Sequence, residues 1–597
     1  MSSSNFPLHA SSTGPANKRS LGVPLGVCVF TKPLLNRAQP ANYPDYVFEI
    51  LGHAGVCHEA VDEKSLVSAL DHLKLLVTVG DPELDEPTRT KLVAWVNAGG
   101  AWLSIGGICG SADTLGVEYQ SPVYANWGVG AVLHGEGYLT PKDGAHPAVA
   151  HVARPLHFFG GLALRSKGAT VVAGSTDHHQ RGPATDVLFE HVSGKGRTMT
   201  LSVDVTGTIV RIQQGMAVTR DGVPAPDGTG PTADAVLKSG DGGVLDWIFD
   251  RRPVKDVPNL NLYLDPIADL WREVILRSIF HLATKQGVAL PVLWLYPRGL
   301  PAIAHMSHDS DGNEPPCAHE LLGLLKQGEI NSTWCIILPG YDKTLMNDIR
   351  RAGHEFATHY DAMSGPQGIP DSDDRVWGEE AFDGQHRRLK ETFGKTPVTN
   401  KNHYLRWEGD IEFFDWCAKR GIEIDQSKGP SKTGEAGFNF GSCHVSVPVA
   451  FDGRYIDVLE LPTLTQDLVI FAPPAIVHGL IEGTKRVHGV LHLLFHPAHV
   501  GKPGVNEAIL MSIAEAKKAG MEWWTSEQIN TWERARCAIR WSNHTGSSVT
   551  LHVEKDLPDA TVLWLKPGTP GKAMNAWGFT FHAETRTLKG GIEHVLK

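Results

Sequence analysis

The stretch LPAIAHMSHDSDG, residues 300–312, decides how the rest of the chain is read. It opens as a short apolar strand and ends in Asp309, Ser310 and Asp311 before a glycine. Residues two apart in an extended segment point to the same side, so both carboxylates can face one pocket if the strand runs through them. Two close carboxylates repel each other unless a cation or a proton lies between them, and a metal ion resolves that conflict. The competing reading is an Asp-rich turn that caps the helix expected next, CAHELLGLLKQG.

Toward the C-terminus, strand-like and helix-like segments alternate. STWCIILP, HEFATH, PVTNKNH, IEIDQ, DVLELP and GVLHLLFHP read as strands, and KTLMNDIRRAG, EEAFDGQHRRLKETFG, GDIEFFDWCAKRG and NEAILMSIAEAKKAG as helices. The series begins near Val292 and predicts a barrel of parallel strands with its chemistry at the strand C-terminal ends. Those ends carry the run from His354 to Asp361 with His359 inside it, then Asn402-His403-Tyr404, then His492 to Pro497 with His496. Asp, His and His from separate strand ends suit Zn²⁺ or a similar divalent ion and leave a position open for water.

On these motifs, residues 291–536 resemble the NodB-homology polysaccharide deacetylases, carbohydrate esterase family 4 and its relatives, whose fold is a deformed (β/α) barrel. Asp309 and Asp311 match the first motif in its D-x-D form, which implies that Asp309 is the general base and Asp311 a metal ligand. His354-Glu355 through His359 matches the second motif, with His359 the ligand and His354 beside it. Leu494-Phe495-His496 matches the late L-x-H motif, which implies that His496 is the general acid. Two departures stand out. The second ligand of the usual H-[ST]-x-x-H is missing, since the chain reads His359-Tyr360-Asp361-Ala362-Met363, and the third motif has Lys401-Asn402-His403-Tyr404 in place of Arg and Pro. We therefore expect His403 to replace the lost ligand, giving Asp311, His359 and His403 as the metal set, with Asp361 as the runner-up. His308 either supports the site or packs in the core, and Glu460 and Asp467 either orient the base and acid or satisfy loop backbone.

The activity implied by the resemblance is removal of an acetyl group from an N-acetylated or O-acetylated carbohydrate by a metal-dependent hydrolase. Zn²⁺ is the first choice of cofactor, with Co²⁺, Mn²⁺ and Ni²⁺ as alternatives. A second reading keeps the barrel but hydrolyses another C–N bond, in a ureide, cyclic imide or small amide. A third makes the chain a non-catalytic carbohydrate-binding or assembly protein. Trp523, Trp524 and Trp532 read either as core or as a sugar platform.

Toward the N-terminus, residues 21–290 show a strand–helix–strand pattern that predicts an α/β, doubly wound domain. Its helix over 86–97 has Asp85 as N-cap, Pro87 in the first turn and Gly99 at the end. Leu270 through Leu282 forms the apolar stripe of an amphipathic helix, and residues 220–243 read as an extended loop. The segment around Leu84 to Gly107 resembles the class I glutamine amidotransferase-like fold, where Cys109 follows a strand as a nucleophile would. No His and carboxylate follow it in the pattern that would generate a thiolate, so the domain is expected to be non-catalytic. Residues 537–597 alternate as a small antiparallel β domain, and residues 1–20 read as a flexible N-terminus.

The composition fits that outline. The chain has 597 residues, long enough for several domains, and 55 basic against 66 acidic residues give a net charge of −11. Without a basic block, nucleic acid and anionic membranes are not the expected partners; a small molecule or oligosaccharide is, and a homo-oligomer is compatible with the flanking domains. Eight cysteines without a C-x-x-C pair point to a reducing compartment, and no leader or apolar span is visible, so a cytoplasmic location is expected. Of the 29 histidines, 13 lie between His305 and His499.

Overall fold

The computed structural model describes residues 22–30, 43–120, 133–176, 185–222, 227–229, 236–363, 375–566 and 571–597; the segment 1–20 read as flexible lies outside them. An eleven-stranded sheet occupies the first 201 residues. Strands Glu59–Val61, Leu25–Val29, Leu75–Val79, Ala101–Ile105 and Gly196–Leu201 are mutually parallel, as alternating strands and helices require. Helix Glu86–Asn97 lies among them, and the Asp85 carboxylate accepts from the Thr88 N–H at 2.8 Å.

Beyond Gly196–Leu201 the sheet turns antiparallel through Thr185–Ser193, Thr170–Thr176, Leu133–Pro141 and Leu156–Leu162. This half departs from the doubly wound expectation. The cause is local: Ser193 and Gly196 pair across Gly194-Lys195, with Gly194 at φ 58°, and so short a turn can only reverse the chain.

The helix read as a stripe, Ile267–Lys285, is instead buried on nearly every side. It packs between the first sheet and the C-terminal part of the chain, and its charges are paired internally. Arg272 meets Glu49 at 2.7 Å and Arg277 meets Glu273 at 2.7 Å, which is how charged residues survive burial.

The second sheet is parallel and curled. In sheet order it runs Leu459–Glu460, Ile424–Asp425, Thr399–Asn402, Glu355–Tyr360, Thr333–Ile336, Ile303–Asp309 and Val490–Leu494, and Glu522–Trp523 also pairs with the start of Ile303–Asp309. The edges remain partly open. Just past one edge, Leu464 N–H donates to the His492 carbonyl and Thr465 accepts from Leu494 N–H, so the chain reaches across toward the other edge. Helices 315–327, 343–351, 379–393, 412–420 and 505–518 form where the sequence placed them. Because the strands are parallel, all their C-terminal ends open at one end of the sheet.

Strand Leu290–Leu293, where the barrel series was expected to start, pairs antiparallel with Leu557–Leu565 in a C-terminal sheet. The remaining C-terminal strands are antiparallel as well. Among the described residues, no helix is long and apolar enough to cross a membrane.

Candidate metal centre

Four strand ends deliver the polar residues. Asp309 closes strand Ile303–Asp309, His359 is the penultimate residue of Glu355–Tyr360, His403 follows Thr399–Asn402 directly, and His496 stands two residues beyond Val490–Leu494. Asp311 arrives by a different route from the one its spacing suggests. The strand stops at Asp309, and Asp311 sits in a turn with φ 35°, braced by Ser310 Oγ, which donates to Asn313 and accepts from the Ile337 N–H. The two carboxylates converge through this left-handed turn and not through the pleat.

Ligand atoms of Asp311, His359 and His403 lie within 4.8 Å of one another. Asp311 Oδ1 is 3.3 Å from His359 Nε2 and 3.7 Å from His403 Nε2. Both imidazoles are oriented from behind. His359 Nδ1 donates to the Lys401 carbonyl at 2.9 Å, and His403 Nδ1 to Asp361 Oδ1 at 3.0 Å, which turns both Nε2 atoms toward Asp311. Asp361, the runner-up ligand, therefore holds His403, and its other oxygen binds Arg375 at 2.5 Å.

Whether this set fits a cation can be read from its own atoms. Asp309 Oδ1, Asp311 Oδ1 and His359 Nε2 are buried and have no hydrogen-bond partner. Buried polar atoms are rarely left so; Asp309 Oδ1 lies toward Lys401, whereas Asp311 Oδ1 and His359 Nε2 stand 3.3 Å apart and mark a place for a cation. Burial works against an ionised Asp311, yet His359, His496 and His403 hold its pKa well below the usual carboxylate range. Burial likewise disfavours a charged His359, and Asp309 and Asp311 reverse that and raise its pKa. One Asp and two His with an open side are a donor set that metal-dependent hydrolases use.

His496 and Asp309 flank the set. His496 Nε2 is 3.6 Å from Asp311 Oδ2 and 3.9 Å from Asp309 Oδ2. Asp467 fixes this imidazole twice, through its backbone N–H at 2.8 Å and its Nδ1 at 2.5 Å. Burial disfavours the imidazolium, but Asp467, Asp311 and Asp309 outweigh it and lift His496 to about 9. His499 approaches the same Asp467 oxygen at 2.9 Å. Asp467 thus takes the orienting role, whereas Glu460 binds the Lys428 N–H in a separate buried group with Asp425.

Lys401 is the residue the sequence left without a task. Its ammonium is fully buried, donates to Ser307 Oγ at 2.7 Å and lies 3.9 Å from Asp309. Ser307 in turn meets His492 Nε2 at 2.9 Å. A lysine inside the strand-like PVTNKNH, two residues before His403, was the available signal. His308 packs on Trp334 with ring centroids 5.2 Å apart, and its Nδ1 donates to the Phe495 carbonyl next to His496. Burial pushes it down to about 3, so it is neutral packing under the site.

Other candidates lie elsewhere. Trp523 is buried and Trp524 and Trp532 are half-buried at the opposite end of the sheet, where the Trp524 N–H donates to the Ala304 carbonyl, so they form no platform at this centre. A second cluster, His146, Glu190 and His281, is already satisfied: Glu190 also binds Arg197 at 2.7 Å, and His146 Nδ1 accepts from the Ala148 N–H, which leaves the proton on Nε2. Cys109 has φ 51° as at a nucleophile elbow, but burial pushes its thiol up. The Asp81 carboxylate accepts from the Ile108 and Cys109 N–H groups, and its charge beside the thiol also disfavours a thiolate.

No family model matches the chain, and no curated protein matches it. Among solved structures, it is similar to a protein from Mycobacterium smegmatis described as a polysaccharide deacetylase, at 21% identity over 41% of this chain and 94% of that one, with a TM-score of 0.31. A Bordetella bronchiseptica protein described as a polysaccharide deacetylase involved in O-antigen biosynthesis is 17% identical over 34% of this chain and 74% of its own, with a TM-score of 0.24. Agd3, described as a carbohydrate deacetylase, aligns over 96% of this chain and 98% of its own at 7% identity and a TM-score of 0.40. All three are distant likenesses, and the chemistry rests on the residues themselves.

Proposed function

We propose that the chain is a metal-dependent deacetylase that removes an acetyl group from an N-acetylated or O-acetylated carbohydrate, on a barrel of the NodB type. Asp311, His359 and His403 are the metal ligands, Asp309 is the general base and His496 the general acid. The observation that carries this reading is a buried carboxylate and an Asp-held imidazole beside one Asp/His/His set, with Asp309 Oδ2 3.8 Å from His359 Nε2 and 3.9 Å from His496 Nε2.

A divalent ion, Zn²⁺ before Co²⁺, Mn²⁺ or Ni²⁺, supplies an acidified water and polarises the acyl carbonyl. Asp309, beside the Lys401 ammonium, takes a proton from the attacking water. His496, held by Asp467 and lifted to about 9, carries a proton at neutral pH. It gives that proton to the leaving amine or alkoxide, because an amide anion is too poor a leaving group. The same reading divides the chain near residues 290 and 536 and assigns no reaction to 21–290. The net charge of −11 favours a neutral sugar substrate over nucleic acid.

The test is a product assay on the zinc-loaded full chain over acetylated amino-sugar oligomers, acetyl esters of sugars, cyclic imides and ureides. Acetate release from the sugars, abolished by a chelator and restored by Zn²⁺, is the expected result. Ring opening of imides or ureides without acetate release moves the activity to another C–N bond.

A further inference from the structure

We infer that the Tyr404 side chain is the platform on which the acetylated sugar ring stacks beside the metal centre, steadied by Lys238 from the N-terminal part of the chain; this deepens the deacetylase reading and rests on it. Tyr404 follows the ligand His403 directly, and the two rings meet edge-on with centroids 5.0 Å apart. The residue is 53% exposed, where the neighbouring Leu405 and Trp407 are buried. A core role therefore does not explain it.

The backbone adds a second, independent observation. Tyr404 has φ 60° and ψ 14°, and Leu405 has φ 53°. Two consecutive bulky residues in the left-handed region are strained where glycine or asparagine would sit without strain. Such strain persists only where the surroundings impose it, and here they do. Val218 and Gly409 exchange backbone hydrogen bonds at 2.8 and 2.9 Å, and Trp407 N–H donates to Leu237 at 3.0 Å. The His403–Gly409 turn is thus clamped by segments almost two hundred residues earlier in sequence. Lys238, paired with Arg406 in the same clamp, brings its ammonium 5.9 Å from the Tyr404 centroid, within range of a cation–π contact.

An exposed aromatic face beside a reacting centre suits a pyranose. The C–H face of the sugar is apolar and weakly positive at its hydrogens, the ring face is negative, and the phenol hydroxyl can still reach a sugar hydroxyl. A substrate stacked there would hold its N-acetyl or O-acetyl group next to His403. The clamp also gives the N-terminal part of the chain a share in substrate binding without any chemistry of its own.

The experiment uses the full-length, zinc-loaded chain in an Asp309→Asn background, so that the probe, the N-acetylglucosamine pentamer, is bound and not turned over. Calorimetry should show at least tenfold weaker binding after Tyr404→Ala, less than threefold change after Tyr404→Trp, and two- to fourfold weakening after Lys238→Met. Zinc content is measured on the same samples. Unchanged pentamer affinity in Tyr404→Ala overturns the inference, as does failure of the parent to bind the pentamer, and so does loss of zinc together with binding, which would make Tyr404 a support of His403. The two readings fail separately: pentamer binding that depends on Tyr404 with no acetate released by the wild type removes the deacetylase, and acetate release indifferent to Tyr404 removes the platform.

Discussion

Asp309 and Asp311 stand two residues apart, and the different work proposed for them follows from their different surroundings. Asp309 is almost fully buried beside the Lys401 ammonium, whereas Asp311 lies in a strained turn amid three imidazoles. Asp309→Asn should therefore keep its metal, measured by mass spectrometry of the purified protein, and lose on the order of a thousandfold or more in kcat, as removal of a general base and its charge does. Asp361→Ala should weaken metal affinity about 10- to 100-fold, the usual effect of removing the partner that orients a ligating imidazole. A metal titration with unchanged affinity would remove Asp361 from that role. At His496 the sign is set by Asp467, Asp311 and Asp309, which raise its pKa to about 9. The protonated acid is present below that value, so kcat should fall as pH rises through it, and Asp467→Asn should move this limb to lower pH. A limb that stays in place in the variant contradicts the assignment of Asp467.

At the scale of elements, most of what was legible in the sequence came from periodicity and caps. Helix Glu86–Asn97 runs between the residues expected because Asp85, Pro87 and the terminal glycines each act locally. The parallel strands were readable for the same reason, since apolar runs alternate with helical patterns. What remained hidden depended on distant partners. The Asp-rich turn weighed at Asp309–Gly312 is the form Asp311 takes, but its place at the site depends on Ile337 in the next strand, whose N–H donates to Ser310. Nothing near Leu290–Leu293 reveals that its partner is Leu557–Leu565, some 270 residues later. The Ile267–Lys285 helix looked one-sided because its buried charges, Arg272 and Glu273, imitate a solvent face. Glycine 55 marks one such long-range contact. It has φ +69°, and a Cβ there would lie 2.0 Å from the Leu293 carbonyl oxygen. Gly55→Ala should cost about 2–4 kcal/mol through backbone strain and overpacking, read as a lower midpoint in urea unfolding. A midpoint within error of wild type would show that this junction yields freely.

Across the whole molecule, the first 290 residues hold the curled sheet from outside through buried polar contacts as well as apolar packing. His53 with Glu533 at 2.7 Å and Gln213 with Ser442 at 3.2 Å are among those contacts, and within the first 290 residues His157 is held between Asp250 at 2.6 Å and Glu136 at 2.8 Å. Burial disfavours its charge, but the two carboxylates prevail and raise its pKa to about 9. A group whose pKa rises on folding adds stability that is complete below its unfolded pKa, near 6.5, and fades as pH climbs through about 9. The wild type should therefore lose on the order of 2–3 kcal/mol more than His157→Gln between pH 6 and 10, an effect visible in chemical unfolding at the two pH values. Equal pH dependence in both proteins would mean that His157 is neutral when folded. The proposed metal centre depends on the same assembly, because the turn bearing His403 is clamped by residues 218 and 237–238. The most direct test of the central claim is metal stoichiometry on the full chain, purified without chelator, for the wild type and for Asp311→Ala, His359→Ala and His403→Ala. One divalent ion per wild-type chain, lost in all three variants along with acetate release, is the predicted result. Full occupancy in any of the three, or a wild type that binds no ion stoichiometrically, would contradict it.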